Sequence, residues 1–304
     1  MLAFFRWACW VARASTVSLP SKELHREALW LLEDAGIPPQ DFHSWRFSPS
    51  SRTRVGNSEP VPLRASVREL QALWRSRLFS RVPYQQLVSG TYWRDLFLHV
   101  DSGVLAPRPE TEVLTSLAIS LVYSQSDDDL RSAPLVDVGT GAGPIALSLL
   151  KHTSREVLAV DTSEHALSIA ASNADRHGLR DRLNLYHGFL LNPLLQRNVQ
   201  ASGIVANLPY VPPNRMSQLQ PEVTLHEPHE ALDGGSDDGS QLIRDLIVQI
   251  PHCLMSGGFI VLETDAGEQA HALQRELTQQ GFSNVQLKGD YNGAPDRFLL
   301  AQND

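Results

Sequence analysis

Residues 135–150 constrain the fold more than any other stretch. Four residues of buried-strand character, Leu135-Val136-Asp137-Val138, run into Gly139-Thr140-Gly141-Ala142-Gly143 and then an apolar helical run from Ile145 to Leu150. Strand, glycine-rich turn and helix in that order form the entry to a βαβ unit, and so to a doubly wound α/β sheet. Glycine lets the backbone approach a ligand that a Cβ would repel. The spacing is G-x-G-x-G, not the G-x-G-x-x-G of dinucleotide-binding turns, and Asp137 stands two residues ahead of it. An acid there suits a cationic amino-acid ligand better than a pyrophosphate, which points to S-adenosylmethionine.

The strands that follow carry the rest of a site. Val157 to Asp161 ends in an acid 22 residues after Gly139. That acid either accepts the two hydroxyls of a ribose or caps the next helix, with the glycine turn upstream favouring ribose. Leu183 to Tyr186 is the third strand, and His187-Gly188-Phe189-Leu190 the loop where an adenine would lie. Ile204-Val205-Ala206 is the fourth, and it opens onto Asn207-Leu208-Pro209-Tyr210. An Asn, a stiffened backbone carbonyl and an aromatic can hold a planar –NH2 group, each hydrogen on an oxygen, with its π face covered. The plainer reading of the tetrapeptide is a strand-to-loop turn. Phe259 to Glu263, a helix from Glu268 to Gln280, and a hairpin of Val285–Leu287 with Arg297–Leu300 complete the pattern. The expected sheet has seven strands, mostly parallel, with an antiparallel last strand.

The flanking sequence bounds the function. With 26 basic against 34 acidic residues the net charge is −8, unlike a nucleic-acid binder. Cys9 and Cys253 lack metal-ligand spacing, and no apolar run approaches the roughly 20 residues of a membrane span. No metal, nucleic acid or membrane is expected, and the chain reads as a monomer. Residues 1–20 carry Arg6 and Arg13 but no acid, the profile of an organellar transit segment; a first helix packing its aromatic residues is the alternative. Residues 21–85 read as a small helical domain and 86–304 as the catalytic domain, with a connecting hairpin over 86–104. The helix expected over 66–79 places Val67, Leu70, Leu73, Trp74 and Leu78 on one side, and Arg75, Arg77 and Arg81 make it basic, a solvated face with a partner-docking face as the alternative.

From about Arg64 onward the chain resembles the HemK/PrmC-type release factor glutamine methyltransferases. Pro107-Arg108-Pro109-Glu110-Thr111-Glu112 matches that family's entry motif, Asp137 to Gly141 its cofactor turn, and Glu227-Pro228 with Ala231-Leu232-Asp233-Gly234-Gly235 its post-catalytic loop. Tyr92 to Leu96 and His226-Glu227-Pro228 are similar to the plastid and cyanobacterial branch, which implies a plastid stroma or mitochondrial matrix, or else a bacterial cytoplasm. The resemblance implies a Rossmann-like S-adenosylmethionine-dependent methyltransferase fold with an N-terminal helical domain that docks a class-I peptide chain release factor. It also implies transfer of a methyl group to the glutamine side-chain nitrogen of a Gly-Gly-Gln motif. Asn207, Leu208, Pro209 and Tyr210 would hold that amide. Gly139, Thr140, Gly141, Ala142, Gly143, Asp161, Phe189, Leu190 and Asn207 would hold the cofactor.

Two departures stand out. The family has Asn-Pro-Pro-Tyr where this chain has Leu208, so the carbonyl is kept and the fixed φ is lost, which implies a looser site. Near the adenine the family has Asp or Ser and then Trp-Phe; with Pro193-Leu194 aligned, Leu190 falls at the Trp position and Phe189 just before it, so stacking shifts to Phe189 or is lost. Asn-Leu-Pro-Tyr is also similar to the motif of rRNA adenine dimethylases, so an adenine-N6 methyltransferase on RNA is the first alternative. A non-catalytic release-factor-binding paralogue is the second.

Overall fold

The structure, a computed structural model, describes residues 67–304. The expected targeting segment, residues 1–20, and most of the expected helical domain, residues 21–66, lie outside the described residues. The chain divides into two units, one ending at Val88 and one running from Ser89 to Asp304. Helices longer than two turns are numbered below.

In the first unit, α1 spans Val67–Phe79, with Glu69 in its first turn and Arg77 in its last, each at the end the helix dipole favours. Leu70, Trp74 and Leu78 recur every four residues and all three are buried. Arg75 is exposed, whereas Arg77, expected on the solvated face, is buried. A single helical turn, Tyr84–Leu87, follows.

The second unit begins with an antiparallel hairpin, β1 (Thr91–Trp93) against β2 (Leu96–Leu98). After α2 (Thr111–Ser124) come β3 (Leu135–Val138), α3 (Pro144–His152), β4 (Val157–Asp161), α4 (Glu164–His177), β5 (Leu183–His187) and β6 (Ala201–Ala206). The chain closes with α5 (Gln241–Gln249), β7 (Leu254–Glu263), α6 (Glu268–Gln279), β8 (Ser283–Lys288) and β9 (Phe298–Gln302). The seven-stranded sheet has the order β5-β4-β3-β6-β7-β9-β8, parallel except that β9 runs against both its neighbours. This is the Rossmann-like methyltransferase fold that the sequence led us to expect.

Alternation along each strand builds two cores. Ile204 and Ala206 of β6 and Ile260 and Leu262 of β7 face one layer, with Leu246, Ile247 and Leu273 from α5 and α6. Val205, Phe259 and Val261 face the other, with Leu114 and Ala118 of α2 and Leu147 of α3. Helices therefore cover both faces, as parallel strands require. β7 starts five residues before the predicted strand, because Met255-Ser256-Gly257-Gly258 looks like a breaker yet stays in the strand, with Gly257 left-handed at φ 76°. A bulge in its pairing with β6 absorbs the irregularity. Gly203 is needed opposite it, since a Cβ there would lie 2.4 Å from the Phe259 ring.

Candidate active site

The register of the sheet assembles the site. Val138 of β3 pairs with Val160 of β4 on one side and Ala206 of β6 on the other, and Ala206 pairs with Leu262 of β7. The next residue along each strand is Asp161, Gly139, Asn207 or Glu263. Four neighbouring strands thus deliver these residues in one row at their C-terminal ends, where the order reverses between β3 and β6. A cavity of about 520 Å³ lies there, lined by Gly139, Gly141, Asp161, Asn207, Leu208 and Pro209, and by residues of the segments 103–105, 188–190 and 228–235.

The glycine turn is left-handed at Gly139 (φ 74°), Gly141 (φ 54°) and Gly143 (φ 87°). Nothing lies within 4 Å of where a Gly141 Cβ would be, so that glycine borders open space. Thr140, Ala142 and Gly143 do not line the cavity. The Thr140 hydroxyl donates to Asp137 at 2.7 Å, the Ala142 carbonyl accepts from Asn173, and Gly143 starts α3. They shape the turn from behind.

Asp137 is fully buried, and its Oδ2 accepts from Thr140 and from the Ala146 N–H at 3.0 Å. Its Oδ1 has no partner among the described residues. Burial pushes its pKa up from 3.8 to about 7. The folded chain alone then holds this proton between pH 4 and 7, so the group's contribution to stability falls as pH rises through that window. Asp137→Asn should remove that slope. Its stability relative to the parent should rise by up to about 4 kcal/mol between pH 4 and 8. Denaturant midpoints across the range check it, and parallel profiles would place the proton elsewhere.

Asp161 borders the cavity and is not the cap of α4. Its Oδ2 accepts from the Gly141 N–H at 2.8 Å and its Oδ1 from the Ser163 N–H at 2.9 Å, while the side chain borders the cavity. The cap of α4 itself is Ser163, whose hydroxyl accepts from Ala166. Phe189 and Leu190 also line the cavity, Phe189 half-exposed and Leu190 buried with φ 48°. Leu208 is buried too, and its Cδ2 would sit 3.0 Å from a Gly139 Cβ. The leucine side chain lies over the glycine turn and joins the two strand ends.

Tyr210 stands off the cavity wall, inside a buried polar cluster that no motif announced. Its hydroxyl donates to Glu263 Oε1 at 3.1 Å and accepts from Arg297 at 3.2 Å. Burial and the Glu263 carboxylate hold its pKa above the ordinary value. Thr111 donates to Glu263 Oε2 at 2.8 Å and accepts from Asn207 Nδ2 at 3.0 Å. Arg108 pairs with the buried Glu227 at 2.5 Å, which joins the Pro107–Glu112 stretch to the post-catalytic loop. The Trp93 indole N–H donates to the Arg108 carbonyl at 3.1 Å. Among the described residues, no group of three or more His, Cys, Asp or Glu is placed to hold a metal ion.

A family model described as ribosomal protein L11 methyltransferase (PrmA) matches residues 111–224, the stretch holding the glycine turn, Asp161 and Asn207. A release factor glutamine methyltransferase of Thermosynechococcus vestitus is 34% identical over 303 residues, 99% of this chain and 98% of that relative. Another, from Gloeobacter violaceus, is 37% identical over 243 residues, 80% of this chain and 82% of that relative. The chain belongs to the release factor glutamine methyltransferases. Among solved structures, the catalytic domain of hMettl16 matches with a TM-score of 0.51 at 15% identity, covering 77% of this chain and 80% of that one. That likeness is one of fold. In this release factor glutamine methyltransferase the segment Pro209-Tyr210-Val211 is also tied to the family's post-catalytic loop. Val211 N–H donates to the Leu232 carbonyl at 2.9 Å, and Gly234 N–H to the Val211 carbonyl at 3.0 Å.

Proposed function

We propose that this chain transfers a methyl group from S-adenosylmethionine to the side-chain nitrogen of the glutamine in the Gly-Gly-Gln motif of a class-I release factor. The observation that carries the reading is the placement of Asn207, Leu208 and Pro209 on one cavity wall beside Gly139. The residues fit the cofactor: Gly141 borders open space, Asp137 keeps a buried unpartnered oxygen, and Asp161 reaches the cavity. The bound cofactor supplies a methyl group on a positively charged sulfur. The glycine turn and Asp161 would hold it, with Phe189 and Leu190 beside the adenine.

An amide nitrogen is a poor nucleophile because its lone pair is delocalised. Asn207 Oδ1 and the Leu208 carbonyl each accept one of its hydrogens, which builds negative character on the nitrogen and aims its lone pair. Positioning and electrostatics then supply most of the acceleration, and a proton leaves once the new N–C bond has formed. Residues 21–85, with the hairpin, are proposed to dock the release factor. Residues 1–20 are proposed as a targeting segment. Among the described residues no helix is long and apolar enough to cross a membrane.

Incubating the enzyme with labelled cofactor, a release factor and rRNA together tests the proposal. Mass spectrometry should find one methyl group on the Gly-Gly-Gln glutamine. Label in RNA with an unmodified peptide would overturn it, and cofactor binding without any transfer would identify the non-catalytic paralogue.

A further inference from the structure

The polar cluster behind the cavity decides which way round the Asn207 carboxamide lies. Asn207 Nδ2 is 3.0 Å from Thr111 Oγ1, which is 2.8 Å from Glu263 Oε2. A threonine hydroxyl has one proton. The Glu263 carboxylate offers Thr111 only lone pairs, so that proton is committed to Glu263 and Thr111 turns a lone pair towards Asn207. Only the –NH2 end of Asn207 satisfies that acceptor, which leaves Oδ1 for the cavity. Glu263 is itself almost fully buried, with Tyr210 donating to its other oxygen. Burial raises the Glu263 pKa, and the Thr111 and Tyr210 hydroxyls, with the positive charge of Arg297 beside Tyr210, oppose that shift and favour the carboxylate.

We propose that Glu263, acting through Thr111, is the positioning group that fixes the Asn207 carboxamide with its oxygen outward, and so sets the preference for a substrate carboxamide over a carboxylate. The inference rests on the reading of Asn207 as a holder of the substrate amide. A pinned Oδ1 accepts from a glutamine –NH2 and faces the lone pairs of a glutamate. An unpinned carboxamide can rotate its –NH2 into the cavity and donate to a carboxylate, so the discrimination collapses.

The test uses the full chain with S-adenosylhomocysteine and two release factors, one with Gly-Gly-Gln and one with glutamate in place of that glutamine. The parent enzyme should bind the glutamine form at least about 100-fold more tightly, the discrimination expected when acceptor faces acceptor. Thr111→Val keeps the shape and removes the acceptor, and should reduce the preference below about tenfold. It should also lower kcat with little change in cofactor affinity. Thr111→Ser should restore both, and Thr111→Ala carries the same expectation as the valine variant if that one does not fold. An undiminished glutamine preference in Thr111→Val or Thr111→Ala would overturn the proposal. Full turnover in Asn207→Ala would instead remove the reading of Asn207 on which it rests.

Discussion

Asn207→Ala should lower methyl transfer about 10²–10³-fold, the loss typical when one preorganised group facing the reacting centre is removed. Asn207 sits at the end of β6, in register with Gly139 on one side and Glu263 on the other, and alanine changes nothing in that pairing. The substrate nitrogen would keep the Leu208 carbonyl and lose the acceptor that holds its second hydrogen. Inside the cluster the Thr111 oxygen would lose a donor at 3.0 Å, a cost to stability of only about 1–3 kcal/mol. Single-turnover transfer measured beside a denaturation curve separates the two effects. A stable variant with parental transfer would mean the amide is held elsewhere.

Gly234→Ala should be the most damaging single-methyl change in the loop that follows the site. A Cβ at Gly234 would lie 1.8 Å from the Gly239 carbonyl oxygen, and one at Gly239 (φ 72°) would lie 2.3 Å from the Tyr210 carbonyl oxygen. These obstacles are backbone, so no side chain can swing aside. Relief requires breaking the Gly234–Val211 hydrogen bond or the Gln241 N–H bond to the Gly234 carbonyl, both 3.0 Å. The loop would then pull on the segment that carries Pro209 and Tyr210. We expect a loss of at least about 3 kcal/mol and little methyl transfer at saturating substrate. Parental denaturant midpoints and turnover would show that the loop accommodates a Cβ at no cost.

The elements that could be read from the sequence are those whose signals are local. β3, its glycine turn and α3 occupy one unbroken stretch, and β6 is visible because nearly every residue is apolar, as suits a strand buried on both faces. Asn207 announced itself because polar and stiff residues end that apolar run. Thr111, Glu263 and Arg297 gave no such signal. Thr111 stands in the Pro107–Glu112 motif with nothing to mark its side chain, and begins a helix, while Glu263 is the polar end of a strand. Only the lateral order of β6, β7 and β9, with the start of α2 beside them, brings residues 111, 207, 263 and 297 together, and that arrangement is not written in any one stretch. The choice posed for Asp161, ribose or cap, was not legible in one stretch: its two oxygens accept from Gly141 and Ser163, the cap of α4 is Ser163, and Asp161 borders the cavity. Thr140 and Ala142 fell inside the motif without reaching the cavity, because a turn that is left-handed at alternate residues points its intervening side chains backwards.

The insertion of β9 between β7 and β8 also orders events in time. A chain made from its N-terminus holds the glycine turn, Asp161 and Asn207 well before Arg297 has been synthesised. β8 is made before β9 yet borders no other strand, so it stays unpaired until β9 arrives. Until then Glu263 has Thr111 and Tyr210 but lacks the guanidinium that donates to Tyr210. A nascent chain can therefore form the glycine turn early, and the polar cluster beside Asn207 matures only once β9 has been made.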